Sequence, residues 1–432
     1  MAHIVIIGNG IASLTAALQL KKLVSDQDWI TVVSEDQYGV LKSSLPSVSM
    51  GLRSLKDVRV DLKKLFEKFK IKYLFSSVSS LHPERQVIIL NNGKRVPFDN
   101  LIIADGMVPA WDHIPGLNRS HNMVHSTMNA DETMRAELGF KDFLLSPGPM
   151  TIACAPGSMD YQSAYQYVLN VDHVLRRYRL RDKVPIRFIT PEPFLGHLGI
   201  GGIGHSNSLF EKEFRSRQIE YYCNAAIDKI DKTTVQIIYF DREGAECGRK
   251  KFNSRYGLIW PAMRAADYIT KVNGLTDKTG LIQTNKFLQS SLYRNIFAIG
   301  EVVAQTSLRQ AALEPTPMET GQPCSDFLRE SMTSTVAGNL AEVLRHRYPC
   351  YEPTGNGFFM INYGERGAAF LAVPQNPPRN IDRIIEGRFV HIMQRTMERY
   401  HLSRLRAGVT EPIFERLIFR LMKMPRIKQK AA

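Results

Sequence analysis

The sequence predicts an α/β chain of the doubly wound kind, and three observations carry that prediction. A β-branched run opens the chain and passes at once into a Gly-rich turn and an Ala-rich helical pattern. Two later apolar strands, at 101–106 and 295–301, end in Gly or in Gly followed by an acid. The 432 residues, 44% of them apolar, suffice for two or three domains with cores of their own. Disorder is thereby excluded as the main state. No run of about 18 apolar residues occurs, so a membrane-crossing helix is excluded, whereas a helix lying on a membrane surface is not. The start, Met1-Ala2-His3 followed by Ile4-Val5-Ile6-Ile7, lacks the charged region and cleavage site of a secretory signal, which makes the cytoplasmic side the expectation.

The first element is the strand at 3–7, followed by Gly8-Asn9-Gly10-Ile11-Ala12-Ser13 and a helix through Leu14, Ala17 and Leu20. Gly8 supplies the tight turn, and Gly10 lets backbone N–H groups approach a pyrophosphate at the positive end of the helix. Ser13 stands at the third position, small enough for the helix to pack closely on the strand. The next strand, 29–34, ends in Glu35, at the distance where an acid hydrogen-bonds ribose hydroxyls. Leu101 to Gly106 and Asn295 to Glu301 sit where two-domain flavoproteins close over their cofactor, which favours FAD over NAD. The candidate FAD contacts are Gly8, Gly10, Ser13, Glu35, Val78, Asp105, Gly106, Gly300 and Glu301.

Three further segments, 181–199, 367–375 and the basic tail through Glu411-Pro412, are similar to the sulfide:quinone oxidoreductase family. The similarity runs in the same order over nearly the whole chain. It implies a pair of Rossmann-like domains, FAD held with or without a covalent bond, and a C-terminal region that docks on a membrane and helps form a quinone pocket. The expected division is 1–110 with 292–345 for FAD, 111–291 for a second Rossmann-like domain, and 346–432 for a quinone-pocket and membrane-docking region, with an amphipathic, membrane-facing helical region at the C-terminus. Phe359 and Phe370 are the candidates for the quinone pocket.

Flavoproteins of this plan that use NADH repeat the Gly-rich turn in the second domain. Here the equivalent segment, 150–160, keeps only Gly157; Pro156 removes a backbone donor and Asp160 brings negative charge toward the phosphates. NADH is therefore not expected to reduce the flavin.

The five cysteines, 154, 223, 247, 324 and 350, are odd in number and no two lie closer than 24 positions, so neither a CxxC pair nor a local metal site can be drawn. The family oxidises sulfide with cysteines beside the flavin. The resemblance puts those positions at Asp160, Phe359 and about Met128, none of which is cysteine. It also puts Glu132 where the family often has His, Gln166 where it often has Glu, and Cys324 where it has Lys. Cys324 and Cys154 are the nearest remaining thiols: both read as small buried hydrophobes, and Cys324, if it reaches the flavin, as an adduct former or a tuner of potential. His197, in a Gly-rich loop, reads either as a proton donor to reduced quinone or as a backbone-bonded loop histidine. The catalytic candidates are thus Cys324, His197 and Asp160, with no metal.

Of the formal charge of +14, half lies in residues 381–430, where twelve cations oppose five acids. From Phe389 apolar residues recur at helical spacing through Val390, Met393, Met397 and Tyr400. A second helix carries Phe414, Leu417, Ile418, Leu421 and Met422, with Arg416, Arg420 and Lys423 opposite. This pattern predicts docking of 389–430 on an anionic membrane surface; packing on the domain or an oligomer contact are the alternatives, and nucleic acid fits poorly. The function expected is a peripheral membrane flavoprotein passing electrons between an unidentified donor and a quinone without the usual cysteine relay. The alternative is a catalytically degenerate homologue serving as a FAD-bearing subunit or membrane docking partner of a larger complex.

Overall fold

The computed structural model describes the chain except residues 9, 105, 118–122, 305–312, 411–414, 416–423 and 430–432. A first parallel sheet runs in the order Ile296–Ala298, Asn100–Ile103, His3–Ile7, Trp29–Ser34, Lys72–Phe75. Its central strands are continuous apolar runs because both faces are covered. On one face lie the helices Ile11–Leu23 and Asp326–Leu344, joined where Gln19 Nε2 donates to Ser334 Oγ at 3.1 Å. The chain leaves His3–Ile7 toward one side of the sheet and returns to its other side at Asn100–Ile103. The crevice at this reversal opens beyond the carboxyl ends of the strands, where Gly8, Ala104 and Gly300 follow.

A second parallel sheet, ordered Val124–His125, Tyr256–Trp260, Met150–Cys154, Ile186–Ile189, Ile219–Tyr222, has its own core. The helices Ala130–Leu145 and Tyr161–Arg177 belong to it, and an antiparallel sheet of Ala225–Ile230, Thr234–Phe240 and Glu246–Asn253 extends it.

The region after residue 346 holds a sheet ahead of the expected amphipathic helix. Three antiparallel strands, Gly357–Tyr363, Arg366–Val373 and Ile381–Gly387, precede the helix Arg388–Arg406. That helix lies on them: Val390 is fully buried with Met360 and Ala369, and Met393 packs against the same cluster. The predicted stripe is therefore split. Val390 and Met393 cover the sheet, while Phe389 and Ile392 stand 52% and 64% exposed beside the exposed Arg388 and Arg395. The second predicted helix, with Phe414, Leu417, Ile418, Leu421 and Met422, lies outside the described residues. Among the described residues no helix is long and apolar enough to cross a membrane.

Candidate functional site

The Gly-rich turn is built by close packing. A Cβ on Gly8 would stand 3.0 Å from Ser13 Cβ and 3.3 Å from the carbonyl carbon of Ala104. Ser13 Oγ donates to the carbonyls of Gly8 at 3.0 Å and Gly10 at 2.8 Å, so the third position needs a residue both small and able to donate. The helix Ile11–Leu23 begins without a side-chain cap and without an acid in its first turn. Its first N–H groups and its positive dipole end are thus left for a ligand. Gly10, Ile11, Ala12 and Thr15 line a cavity there, together with Lys42, Thr333 and His401. Thr15 Oγ1 is buried with no hydrogen-bond partner, an orphan hydroxyl in the wall of an anion site.

A second cavity shares Lys42, Glu301, Asp326 and Arg329 with the first and continues past Met107, Met128, Asp160, Cys324, Phe359 and Gln375. It lies between the ends of the two parallel sheets. The chain brings Glu301 to its wall through Gly300, whose left-handed conformation, φ +89°, a side chain would strain. Arg329 Nη2 is 2.6 Å from Glu301 Oε1 and also donates to the Cys324 carbonyl at 2.9 Å, while Nη1 pairs with Asp326. Burial raises the Glu301 pKa, but the charges of Arg329 and Lys42 more than offset this and hold it below the usual carboxylate value.

The catalytic candidates fare differently. Asp160 lines the cavity and has a structural duty as well: it caps the helix Tyr161–Arg177, accepting from Ser163 N at 3.1 Å. Burial raises its pKa, with the negative charges of Glu301 and Asp326 adding to the effect. Cys324 also lines the cavity, yet burial pushes its thiol up to about 12, so it is no thiolate near neutral pH. Cys154 is fully buried at the end of its strand and is not a lining residue. His197 is buried edge-on to Phe194 and is not among the lining residues; burial, with Arg379 second, lowers its pKa to about 4.

Phe359 and Phe370 are direct cross-strand partners and stack at 5.0 Å between centroids. Only Phe359 lines the cavity. Phe370 is fully buried behind it and stacks in turn on Phe210 at 6.1 Å, which corrects its assignment to the pocket wall. Glu35 follows its strand end as an exposed residue and Val78 is half-buried at the start of the strand Val78–His82; neither is among the lining residues of these cavities. A Cβ on Gly106 would collide with Ile269 Cδ1 at 2.3 Å, so glycine there serves packing. Asp105 lies outside the described residues.

Sequence reasoning missed Glu192. It is fully buried and accepts from Leu198 N at 2.6 Å, Thr190 Oγ1 at 2.7 Å and the Tyr165 hydroxyl at 2.9 Å, which fixes the loop carrying Leu198 into the cavity wall. An acid between two prolines in an apolar stretch was the available signal. The second-domain turn is also occupied by the chain itself. Gly157 N donates to the Glu319 carbonyl at 3.0 Å, and a Cβ on Gly321 would meet Ser158 O at 2.4 Å.

Two parallel sheets, a Gly-rich turn at the switch point of the first and a cavity reaching toward the second define a two-domain, dinucleotide-dependent oxidoreductase. A family model described as pyridine nucleotide-disulphide oxidoreductase matches residues 2–144. Over 425 residues the chain is 29% identical to the sulfide-quinone reductase of Aquifex aeolicus (strain VF5), covering 97% of this chain and 94% of that one. It is also 29% identical over 319 residues to the mitochondrial sulfide:quinone oxidoreductase of Dictyostelium discoideum, covering 72% and 68% of the two chains. The X-ray structure of the sulfide:quinone oxidoreductase from Aquifex aeolicus superposes with a TM-score of 0.92 at 28% identity, covering all of this chain and 98% of that one. Over nearly its whole length the chain is thus similar to sulfide:quinone oxidoreductases, and over residues 2–144 to the pyridine nucleotide-disulphide oxidoreductases.

Proposed function

We propose that the chain is a FAD-dependent oxidoreductase at a membrane surface that passes electrons from a donor to a quinone without a cysteine relay. The observation that carries this reading is the uncapped helix end with the orphan Thr15 hydroxyl, in a cavity that shares Lys42, Glu301, Asp326 and Arg329 with a second one lined by Phe359. The residues fit the cofactor. N–H groups at Ile11 and Ala12 and the Thr15 hydroxyl would bind its diphosphate, and the Glu301 carboxylate its ribityl hydroxyls. When bound, FAD supplies reversible two-electron transfer. Arg329 and the N-terminus of the helix Asp326–Leu344 place positive potential where negative charge grows on reduction. Asp160, whose pKa burial raises, lines the same cavity as Phe359, on whose face a quinone ring would stack, and would be the carboxyl placed to exchange a proton there.

NADH is disfavoured as the donor, since the Gly157 N–H that a second diphosphate needs already bonds Glu319. Phe389 and Ile392, flanked by Arg388 and Arg395, supply the apolar and cationic groups for docking on anionic lipid, on the cytoplasmic side.

A second reading is a FAD-bearing subunit or docking partner without turnover. It is favoured by the cavity wall, where Asp160 and Phe359 offer no sulfur and the Cys324 thiol stays protonated. One experiment separates the two. The purified protein should be yellow, and anaerobic sulfide followed by decylubiquinone should bleach and restore the flavin band if sulfide is the donor. A yellow protein inert to every donor and to the quinone supports the second reading, and a colourless protein refutes both.

A further inference from the structure

The helix Arg388–Arg406 turns Phe389 and Ile392 outward, but His401, on the opposite side with the buried Leu402 and Leu405, lines the cavity at Gly10, Ala12 and Thr15. The same cavity holds two cations, Lys42 and Arg329, and three acids, Glu301, Asp326 and Glu330. His401 Nδ1 lies 2.9 Å from Arg404 Nη2. Arg404 is buried and fixed by Glu330 at 2.6 Å and Glu415 at 2.8 Å. A guanidinium only donates, so at the 2.9 Å contact Nδ1 accepts and the proton of the neutral ring sits on Nε2; Glu330 Oε1 stands farther from Nδ1, at 3.4 Å, and takes an Arg404 N–H at 2.6 Å instead. Burial, the largest influence on this ring, disfavours its protonated form and leaves Nε2–H as the single N–H. The nearby Thr15 hydroxyl, buried and unpartnered, marks this end of the cavity as a polar ligand site.

We propose that His401 donates its Nε2–H to the diphosphate of the bound dinucleotide, making the C-terminal helix a wall of the cofactor site as well as a surface element. The proposal rests on the FAD reading and goes beyond it, because it ties cofactor retention to a residue some 390 positions from the Gly-rich turn. The test is titration of the apoprotein, full chain, with FAD and with riboflavin, which lacks the diphosphate. His401→Ala should weaken FAD about tenfold, the worth of one hydrogen bond to a charged group, and leave riboflavin unchanged. His401→Gln, whose amide N–H reaches near the Nε2 position, should recover most of the loss and serves where the alanine variant fails to fold. Unchanged FAD affinity in His401→Ala, or an equal loss of FAD and riboflavin, overturns the proposal while leaving the flavin reading intact. Wild-type apoprotein that binds no FAD overturns both.

Discussion

Arg329 Nη2 sits 2.6 Å from Glu301 Oε1 at the junction of the two cavities, so one ion pair borders both the cavity at the Gly-rich turn and the cavity that reaches Phe359. Its removal should be felt in two ways. Arg329→Met is expected to lower the flavin reduction potential, because the cation that favours the reduced, more negative cofactor is gone. It should also cost about 1–3 kcal/mol of stability by removing the hydrogen-bonded partner of Glu301 and leaving only the charge of Lys42 nearby. Spectroelectrochemistry and urea unfolding measure the two effects, and Arg329→Lys should retain most of the potential.

Glu192 carries a pH dependence. Burial raises its pKa to about 7 in the folded chain from 4.5, so between these values the native state binds the proton that the unfolded state has released. Stability from this group is complete below about pH 4.5 and is lost as pH rises toward 7. Urea unfolding between pH 5 and pH 8 should therefore show wild type losing stability relative to Glu192→Gln, which keeps an acceptor for Leu198 N–H without titrating. Parallel profiles would refute the assignment.

Asp160 stands in the cavity wall as a helix cap. Asp160→Ala should cost about 1 kcal/mol through the lost bond to Ser163 N, and Asp160→Asn should preserve it. Asp160→Cys should not create sulfide oxidation by itself, since Phe359 across the cavity provides no second sulfur. Sulfide-dependent bleaching gained in that single variant would contradict this.

The stacked phenylalanines should separate by phenotype. Phe359→Ala is expected to raise the KM for quinone several-fold with a small change in melting temperature. Phe370→Ala should instead destabilise the fold by about 3–5 kcal/mol, the cost of emptying a buried aromatic site.

The proposed membrane docking uses the outer face of the helix Arg388–Arg406. Phe389→Ser with Ile392→Ser should abolish sedimentation with vesicles containing phosphatidylglycerol, and raised salt should weaken wild-type binding. Val390→Ser should lower stability, because that side chain is buried against the sheet. Undiminished sedimentation of the double variant would place docking elsewhere.

The sequence by itself determined the features that depend on neighbours along the chain. The strand, turn and helix at the start, the smallness required at Ser13 and the lack of sulfur at Asp160 and Phe359 are all legible there, since local sterics and residue chemistry decide them. Tertiary structure decided which of two paired phenylalanines faces the cavity: Phe370 lies on the central strand of its sheet and is covered by Phe210, whereas Phe359 lies on an edge strand. It also set the phase of the C-terminal stripe, because an apolar face reads the same whether a sheet or a lipid surface covers it. The occupation of Gly157 by Glu319, the burial of Glu192 and the approach of His401 to the Gly-rich turn all join residues remote in sequence, and the packing of separate layers fixes such contacts where no local pattern can.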